Sequence, residues 1–225
     1  MTDEPVVPRS RRERPAKPPL TREAIIGTAL AILAEEGLGK VTMRRIASAL
    51  DTGHASLYVY VRDTEDLHAQ ILDELLGRMP PISRGGDWRA RMHELLASYT
   101  RVLHQHPEIA RMTRAGHPVG PHYFALVEST LELLNEGGVG DDEAAWGVDL
   151  LLSAVTANAV EHGTDDFAGK NDDALIATAG QIATAGTQYP HIARLGDSML
   201  SGSAAERFEW GVDVLLNGIL GTGRA

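Results

Sequence analysis

The run from Val41 to Val61, V-T-M-R-R-I-A-S-A-L-D-T-G-H-A-S-L-Y-V-Y-V, constrains this chain more than any other stretch. Thr42 is placed to cap a helix, because its hydroxyl can accept from a first-turn amide that has no partner of its own. Val41 and Ile46 then occupy the N′ and N4 positions of a hydrophobic staple, which sets the angle at which the chain enters. Ile46, Ala47 and Leu50 give this short helix one apolar stripe. Asp51-Thr52-Gly53 breaks it, and Gly53 is expected to take the positive φ of the reversal. A second short helix begins near His54, with Leu57 and Val61 turned inward and His54, Ala55, Ser56 and Tyr58 turned out. Two short helices joined by a glycine-containing turn form a helix-turn-helix pattern.

The outward faces carry chemistry suited to a duplex. Arg44 and Arg45 lie in the first turn of the first helix, within reach of a phosphate backbone. The start of the second helix bears small or hydrogen-bonding side chains that can approach base edges in a major groove about 12 Å wide. The candidate DNA contacts are Thr42, Arg44, Arg45, His54, Ala55, Ser56, Tyr58, Tyr60, Arg62 and Thr64. The alternative is a structural helical hairpin whose arginines only solvate a surface.

From Leu20 to Leu67 the sequence L-T-R-E-A-I-I-G-T-A-L-A-I-L-A-E-E-G-L-G-K-V-T-M-R-R-I-A-S-A-L-D-T-G-H-A-S-L-Y-V-Y-V-R-D-T-E-D-L resembles the DNA-binding domain of TetR-family repressors. The helix-glycine junction, the T-x-R-x-I-A segment and the L-Y-x-Y-V segment before an acidic helix start carry the resemblance. It implies an all-α fold: a basic arm over 1–19, a three-helix DNA-binding domain over 20–66, and a helical ligand-binding and dimerisation domain over 67–225. It also implies a homodimer on a palindromic double-stranded DNA operator, released by a small hydrophobic effector. The carboxy-terminal domains would pair through a four-helix bundle of the helices at 141–162 and 204–220. Trp146, Leu150, Phe208, Val212, Leu215 and Ile219 are the candidate interface residues. Two departures from the tetracycline-responsive branch stand out. Thr113 falls where that branch has a magnesium-binding histidine, and Thr64 where it has a lysine after the recognition unit.

Net charge looks unfavourable for binding DNA until it is divided by region. Through Arg62 there are 10 Lys+Arg against 7 Asp+Glu, a balance of +3; beyond it 11 against 24 leave −13, which together make the chain's −10. Nucleic-acid affinity follows the local field, since each neutralised phosphate releases a counterion. No cysteine is present, which fits a reducing cytoplasm and removes thiolate metal sites. The charged, proline-rich start has no apolar core of a secretory signal, and no apolar run reaches eighteen residues, so a cytoplasmic protein with no membrane span is expected.

Taken in order, residues 1–19 hold five prolines and five cations with almost nothing apolar, so the arm is expected to be disordered when free. It either follows the DNA backbone or an adjacent minor groove, or is an inert solubilising tail. A first helix is expected over Thr21–Glu36, with Ile25, Ala29, Ile32 and Leu33 inward and Gly37 as its stop. Asp63 caps the next, whose apolar face runs through Leu67, Ile71, Leu72, Leu75 and Met79 until Pro80-Pro81. That helix is placed as a lever between sensor and DNA reader. Further helices are expected over 87–106, from Pro107 to Ala115, over Tyr123–Glu136, over 141–162 and, weaker and alanine-rich, over 171–188. The 141–162 helix has two apolar stripes, Trp146/Leu150/Ser153/Ala157/Val160 and Leu151/Val155/Asn158/His162, which reads as burial on both sides. A polar loop to Ser203 and a last helix complete the chain.

Candidate polar groups for an effector cavity are His93, Tyr99, His104, Met112, His117, Tyr123, Asn158 and His162, each of which is equally a satisfied core or surface residue. Enzyme motifs are lacking. Gly39-Lys40 is not a P-loop, Gly138-Val139-Gly140 lacks the third glycine and the strand of a dinucleotide fold, and His104-x-His106 and Glu161-His162 do not make a zinc motif. There is no G-x-S-x-G elbow. No cofactor or metal is expected. The rival from another class is an all-helical small-molecule- or partner-binding protein that no longer uses DNA. Combining Arg44→Ala with His54→Ala separates the two.

Overall fold

The computed structural model of the chain describes residues 19–113, 119–162, 180–182 and 188–223, and among them every regular element is helical. One compact unit ends at Arg62 and a second begins at Asp63.

In the first unit α1 spans Arg22–Glu36, a 3-10 turn covers Leu38–Lys40, α2 spans Met43–Ala49 and α3 spans His54–Leu57. Thr21 caps α1, its hydroxyl accepting from the Ala24 amide at 3.1 Å. Gly37 ends it at φ 81°, a conformation closed to most side chains. Thr42 caps α2 in the same way, accepting from the Arg45 amide at 3.1 Å. The staple residues Val41 and Ile46 are both buried, in a core completed by Ile25, Ala29, Leu30, Ile32, Leu38, Met43, Leu57 and Val61. Burying each Val, Leu, Ile or Met side chain among them contributes about 1.5–3 kcal/mol.

The reversal after α2 differs from expectation. Gly53 sits at φ −71° in extended backbone, and the positive φ falls on Asp51, at 47°. Thr52 N–H reaches Ala47 C=O at 2.9 Å and Asp51 N–H reaches Ser48 C=O at 3.2 Å, the paired bonds of a Schellman stop. Aspartate tolerates the left-handed region because its short polar side chain can hydrogen-bond locally.

The second unit holds α4 (Thr64–Leu76), α5 (Trp88–Gln105), α6 (Pro107–Thr113), α7 (Pro121–Glu136), α8 (Asp141–His162), α9 (Pro190–Leu200) and α10 (Ala204–Gly221). α8 is its axis, packed on α5, α6, α7 and α10. Asp63 caps α4, accepting from the Asp66 amide at 2.8 Å. α4 stops at Leu76, before Met79 and the prolines, with Gly77 closing its last turn. α7 starts two residues earlier than expected, because Pro121 takes the first-turn position where its missing N–H costs nothing. α10 opens on a capping box: Ser203 Oγ accepts from the Glu206 amide while the Glu206 carboxylate accepts from Ser203 N–H at 2.8 Å.

Two expectations are corrected. The loop placed before Ser203 contains α9, started by Pro190 and patterned by Ile192, Leu195, Gly196 and Met199 at spacings of three, one and three. On α8 only one stripe is buried in the chain: Leu151, Leu152, Val155 and Ala159 lie inside, whereas Trp146, Leu150, Ser153 and Ala157 are exposed. The alanine-rich helix foreseen over 171–188 lies almost entirely outside the described residues, as does the arm at 1–18. Among the described residues no helix is long and apolar enough to cross a membrane.

Candidate functional site

The first unit presents one outward face built on a buried hinge. Leu57 and Val61 are fully inside, which leaves His54, Ala55, Ser56, Tyr58, Val59 and Tyr60 exposed. The α3 turn continues past Leu57, with Tyr60 N–H and Val61 N–H both donating to Leu57 C=O. His54 and Tyr58, one turn apart, meet edge to face with ring centroids 5.1 Å apart, and the Tyr58 hydroxyl lies 3.4 Å from His54 Nε2. Tyr60 donates its hydroxyl to Leu20 C=O at 2.7 Å, tying the turn to the chain entering α1. Sequence reasoning missed Val59, which is 79% exposed. Its register, between the inward Leu57 and Val61, was the available signal.

The two arginines of α2 part company. Arg45 lies on Glu36 of α1, Nη2 to Oε1 at 2.6 Å and Nε to Oε1 at 3.2 Å, and that carboxylate raises the guanidinium's pKa further. Arg44 is exposed and makes no ion pair with a described residue. Thr42 and Arg62 are exposed as foreseen, and Thr64 is the exposed first residue of α4 in the second unit.

In the second unit the foreseen polar groups scatter. Tyr99 is buried on α5 with its hydroxyl 3.0 Å from Thr156 Oγ1 on α8, and Thr156 donates to Leu152 C=O at 2.8 Å. Tyr99 is therefore the donor of that pair, and burial pushes its phenol up to about 12. Tyr123 on α7 is half-buried and is raised too, by burial first and by Asp149 second. His93 lies between α5 and α10, its Nε2 3.0 Å from Asp213 Oδ1, so it belongs to a polar helix contact shared with Arg89. His104 and Asn158 are half-buried. His117 lies outside the described residues, as do the side chains of Met112 and His162.

Two further polar residues were not foreseen. His68 on α4 is buried, its Nε2 has no hydrogen-bond partner among the described residues, and burial lowers its pKa. Asp73, also on α4 and 4% exposed, accepts from the amides of His122 and Tyr123 at 3.0 and 2.9 Å and faces His122 Nδ1 at 3.2 Å. It thus caps α7 from a neighbouring helix, where a carboxylate also suits the positive end of the helix dipole. A side chain at Gly120 would collide with that carboxylate, and one at Gly77 would meet the His122 ring at 2.7 Å.

Of the residues foreseen at a dimer interface, Trp146 and Leu150 are exposed, Phe208 and Leu215 half-buried, and Val212 and Ile219 buried in the chain's own core. Val212 and Ile219 thus pack within the single chain. The outward stripe of α10 is one position set over, with Trp210 70% exposed and Val214 and Leu220 also outside. The beginning of α8 meets the end of α10, where a Cβ on Gly147 would touch Ile219 at 3.2 Å.

Known proteins match this arrangement along most of the chain. Residues 25–71 match the family described as bacterial regulatory proteins, tetR family, and residues 80–222 match the tetracyclin repressor-like C-terminal domain. The HTH-type transcriptional repressor DrrR1 of Streptomyces coeruleorubidus is 25% identical over 219 residues, 93% of this chain and 80% of its own length. The crystal structure of SCO7704 from Streptomyces coelicolor is 43% identical with a TM-score of 0.78, covering 93% of this chain and 98% of that one. The TetR family protein ActR of Streptomyces coelicolor, solved in complex with actinorhodin, is 34% identical with a TM-score of 0.79, covering 92% and 100%.

Proposed function

Because the chain belongs to the TetR family of ligand-responsive regulators, we propose that it is a repressor that binds a palindromic operator as a homodimer and leaves it when a small apolar effector binds the second unit. The observation that carries this reading is the exposed His54–Tyr60 face set on the buried Leu57 and Val61. A second helix of a helix-turn-helix with small and hydrogen-bonding side chains turned outward at its start is the arrangement that reads a major groove. Arg44 and Arg62 flank it with positive charge, and the −13 balance beyond Arg62 turns the rest of the molecule away from phosphate. ActR's complex with actinorhodin supports a small-molecule effector for this chain as well.

Release follows from linkage. An effector that prefers a conformer whose two heads are wrongly spaced for successive major grooves shifts the population by that preference alone, and a switch from 1:99 to 99:1 needs roughly 5.5 kcal/mol. Effector and operator must then weaken each other by equal factors. The test is a gel shift on the DNA upstream of the protein's own gene, repeated with a panel of small apolar compounds and, separately, with actinorhodin. A retarded band abolished by one of them is expected. A protein that retards neither this DNA nor any inverted repeat overturns the reading and favours the DNA-independent alternative.

A further inference from the structure

The recognition face is unusual for what it lacks. From Gly53 to Val61 there is no Arg, Lys, Asn, Gln, Asp or Glu. Bidentate reading of guanine uses Arg or Lys, reading of adenine uses Asn or Gln, and cytosine's amino group is read by an acid. None of the three is available on this element. Its polar groups are also partly committed within the protein: His54 Nε2 to the Tyr58 hydroxyl, the Tyr60 hydroxyl to Leu20 C=O, and Arg45 on the adjoining helix to Glu36. Beside these engaged but exposed side chains, the outward groups that enter none of those contacts are the methyls of Ala55 and Val59 and the Ser56 hydroxyl. Ala55 lies in α3 and Val59 in the turn that follows it, closed by the Tyr60 and Val61 amides on Leu57 C=O, so the two are about one helical turn apart, near the 5–6 Å of an i,i+4 pair. Successive bases on one strand rise about 3.4 Å, so this patch covers one or two neighbouring bases. The one base whose major-groove edge offers an apolar group is thymine, through its 5-methyl.

We propose that Ala55 and Val59 are specificity-determining residues that pack on thymine 5-methyl groups, so that each operator half-site is read under α3 by methyl contact rather than by bidentate hydrogen bonding. This rests on the regulator reading and names the chemistry by which the same face selects its DNA. Ser56 adds a single hydrogen bond that any base edge can accept or supply, and it contributes position more than identity.

The experiment uses the full-length protein and the duplex it enriches from a randomised pool. Each thymine of one half-site is replaced singly by uracil, which removes only the methyl, and each guanine by 7-deazaguanine, which removes only the N7 acceptor. Affinity is read by fluorescence anisotropy at fixed salt. At one or two thymines per half-site, uracil is expected to weaken binding about fourfold, the value of one buried methyl, and about fifteenfold when the symmetry-related thymine is replaced as well. Val59→Ala and Ala55→Ser, both at exposed positions, should each shrink that preference, while Arg44→Ala weakens the thymine and uracil duplexes by the same factor. A duplex bound equally well with uracil at every position, or one whose losses come from deazaguanine under α3, overturns the methyl reading and leaves the regulator reading standing. A pool from which nothing is enriched overturns both.

Discussion

Arg44 and Arg45 are adjacent in sequence and of the same type, yet the structure gives them different work. Arg45 is spent on Glu36, so its charge is partly cancelled where a phosphate would meet it, whereas Arg44 faces solvent with its charge whole. Arg44→Ala should therefore weaken binding to every duplex alike and reduce the slope of log K against log salt by about one. Glu36→Gln should do the reverse, releasing Arg45 and steepening the slope; anisotropy titrations across a salt series read both. His68 makes a prediction of another kind. Burial lowers its pKa below the ordinary histidine value of 6.5, so below that pH the unfolded chain binds a proton that the folded chain does not. Stability must then fall as pH drops from about 6.5, because stability rises with pH wherever the unfolded state holds more protons. His106 acts in the same direction, its pKa lowered by burial first and by Arg78 second. Urea midpoints should decline between pH 7.5 and 5.5, and His68→Gln should flatten the decline without removing it. A variant as pH-sensitive as the native chain would show that His68 does not titrate in this way.

At the scale of elements, the Asp73 cap joins two helices that the sequence keeps 49 residues apart. Asp73→Ala leaves the amides of His122 and Tyr123 without an acceptor in a buried place, at a cost of about 1–3 kcal/mol. Asp73→Asn keeps one acceptor oxygen and should cost less, and Gly120→Ala should cost more than a surface glycine because its methyl has no room beside the carboxylate. Urea denaturation ranks the three, and faster amide exchange confined to the first turn of α7 would identify the cap as the cause. The same element shows what a sequence can and cannot disclose. Caps at Thr21, Thr42 and Asp63 were legible because cap and amide lie three residues apart. Asp73, by contrast, looks like any acid on an exposed helix until its partner arrives through tertiary packing. α9 was missed since its apolar positions are few and set among Arg194, Asp197 and Ser198, so the stretch reads as loop unless Pro190 is taken as a helix start. The inward face of α10 was legible as a stripe, but which of its two stripes meets the chain and which meets solvent depends on how α10 turns against α8. That choice placed Val212 and Ile219 inside and Trp210 outside. On the outward face of α3 and its following turn the inward Leu57 and Val61 were enough to fix the register, so the outward set was legible almost entire, Val59 excepted.

For the whole molecule, the exposed apolar faces of α8 and α10 matter most. Trp146 is 64% and Trp210 70% exposed, with Leu150 and Val214 beside them, and a monomer gains nothing by leaving two indoles in water. The same faces carry Ser153, Ala157 and Gly218, small residues over which a partner's indole can seat closely. A twofold pairing of the kind proposed would cover both faces at once, since each copy would offer the other both bulky and small positions. Combining Trp146→Glu with Trp210→Glu should thus yield a folded monomer, because both side chains lie mostly in solvent; sedimentation equilibrium and circular dichroism test the two halves of that statement. The consequence for DNA is larger than the change in mass. Two linked heads turn the second half-site contact into an intramolecular event, so losing the link should weaken binding to a full palindrome by about 10²–10⁴ while leaving affinity for an isolated half-site unchanged. If the monomeric variant bound the palindrome as tightly as the native protein, recognition would lie within one copy, and the paired exposed faces would need another explanation.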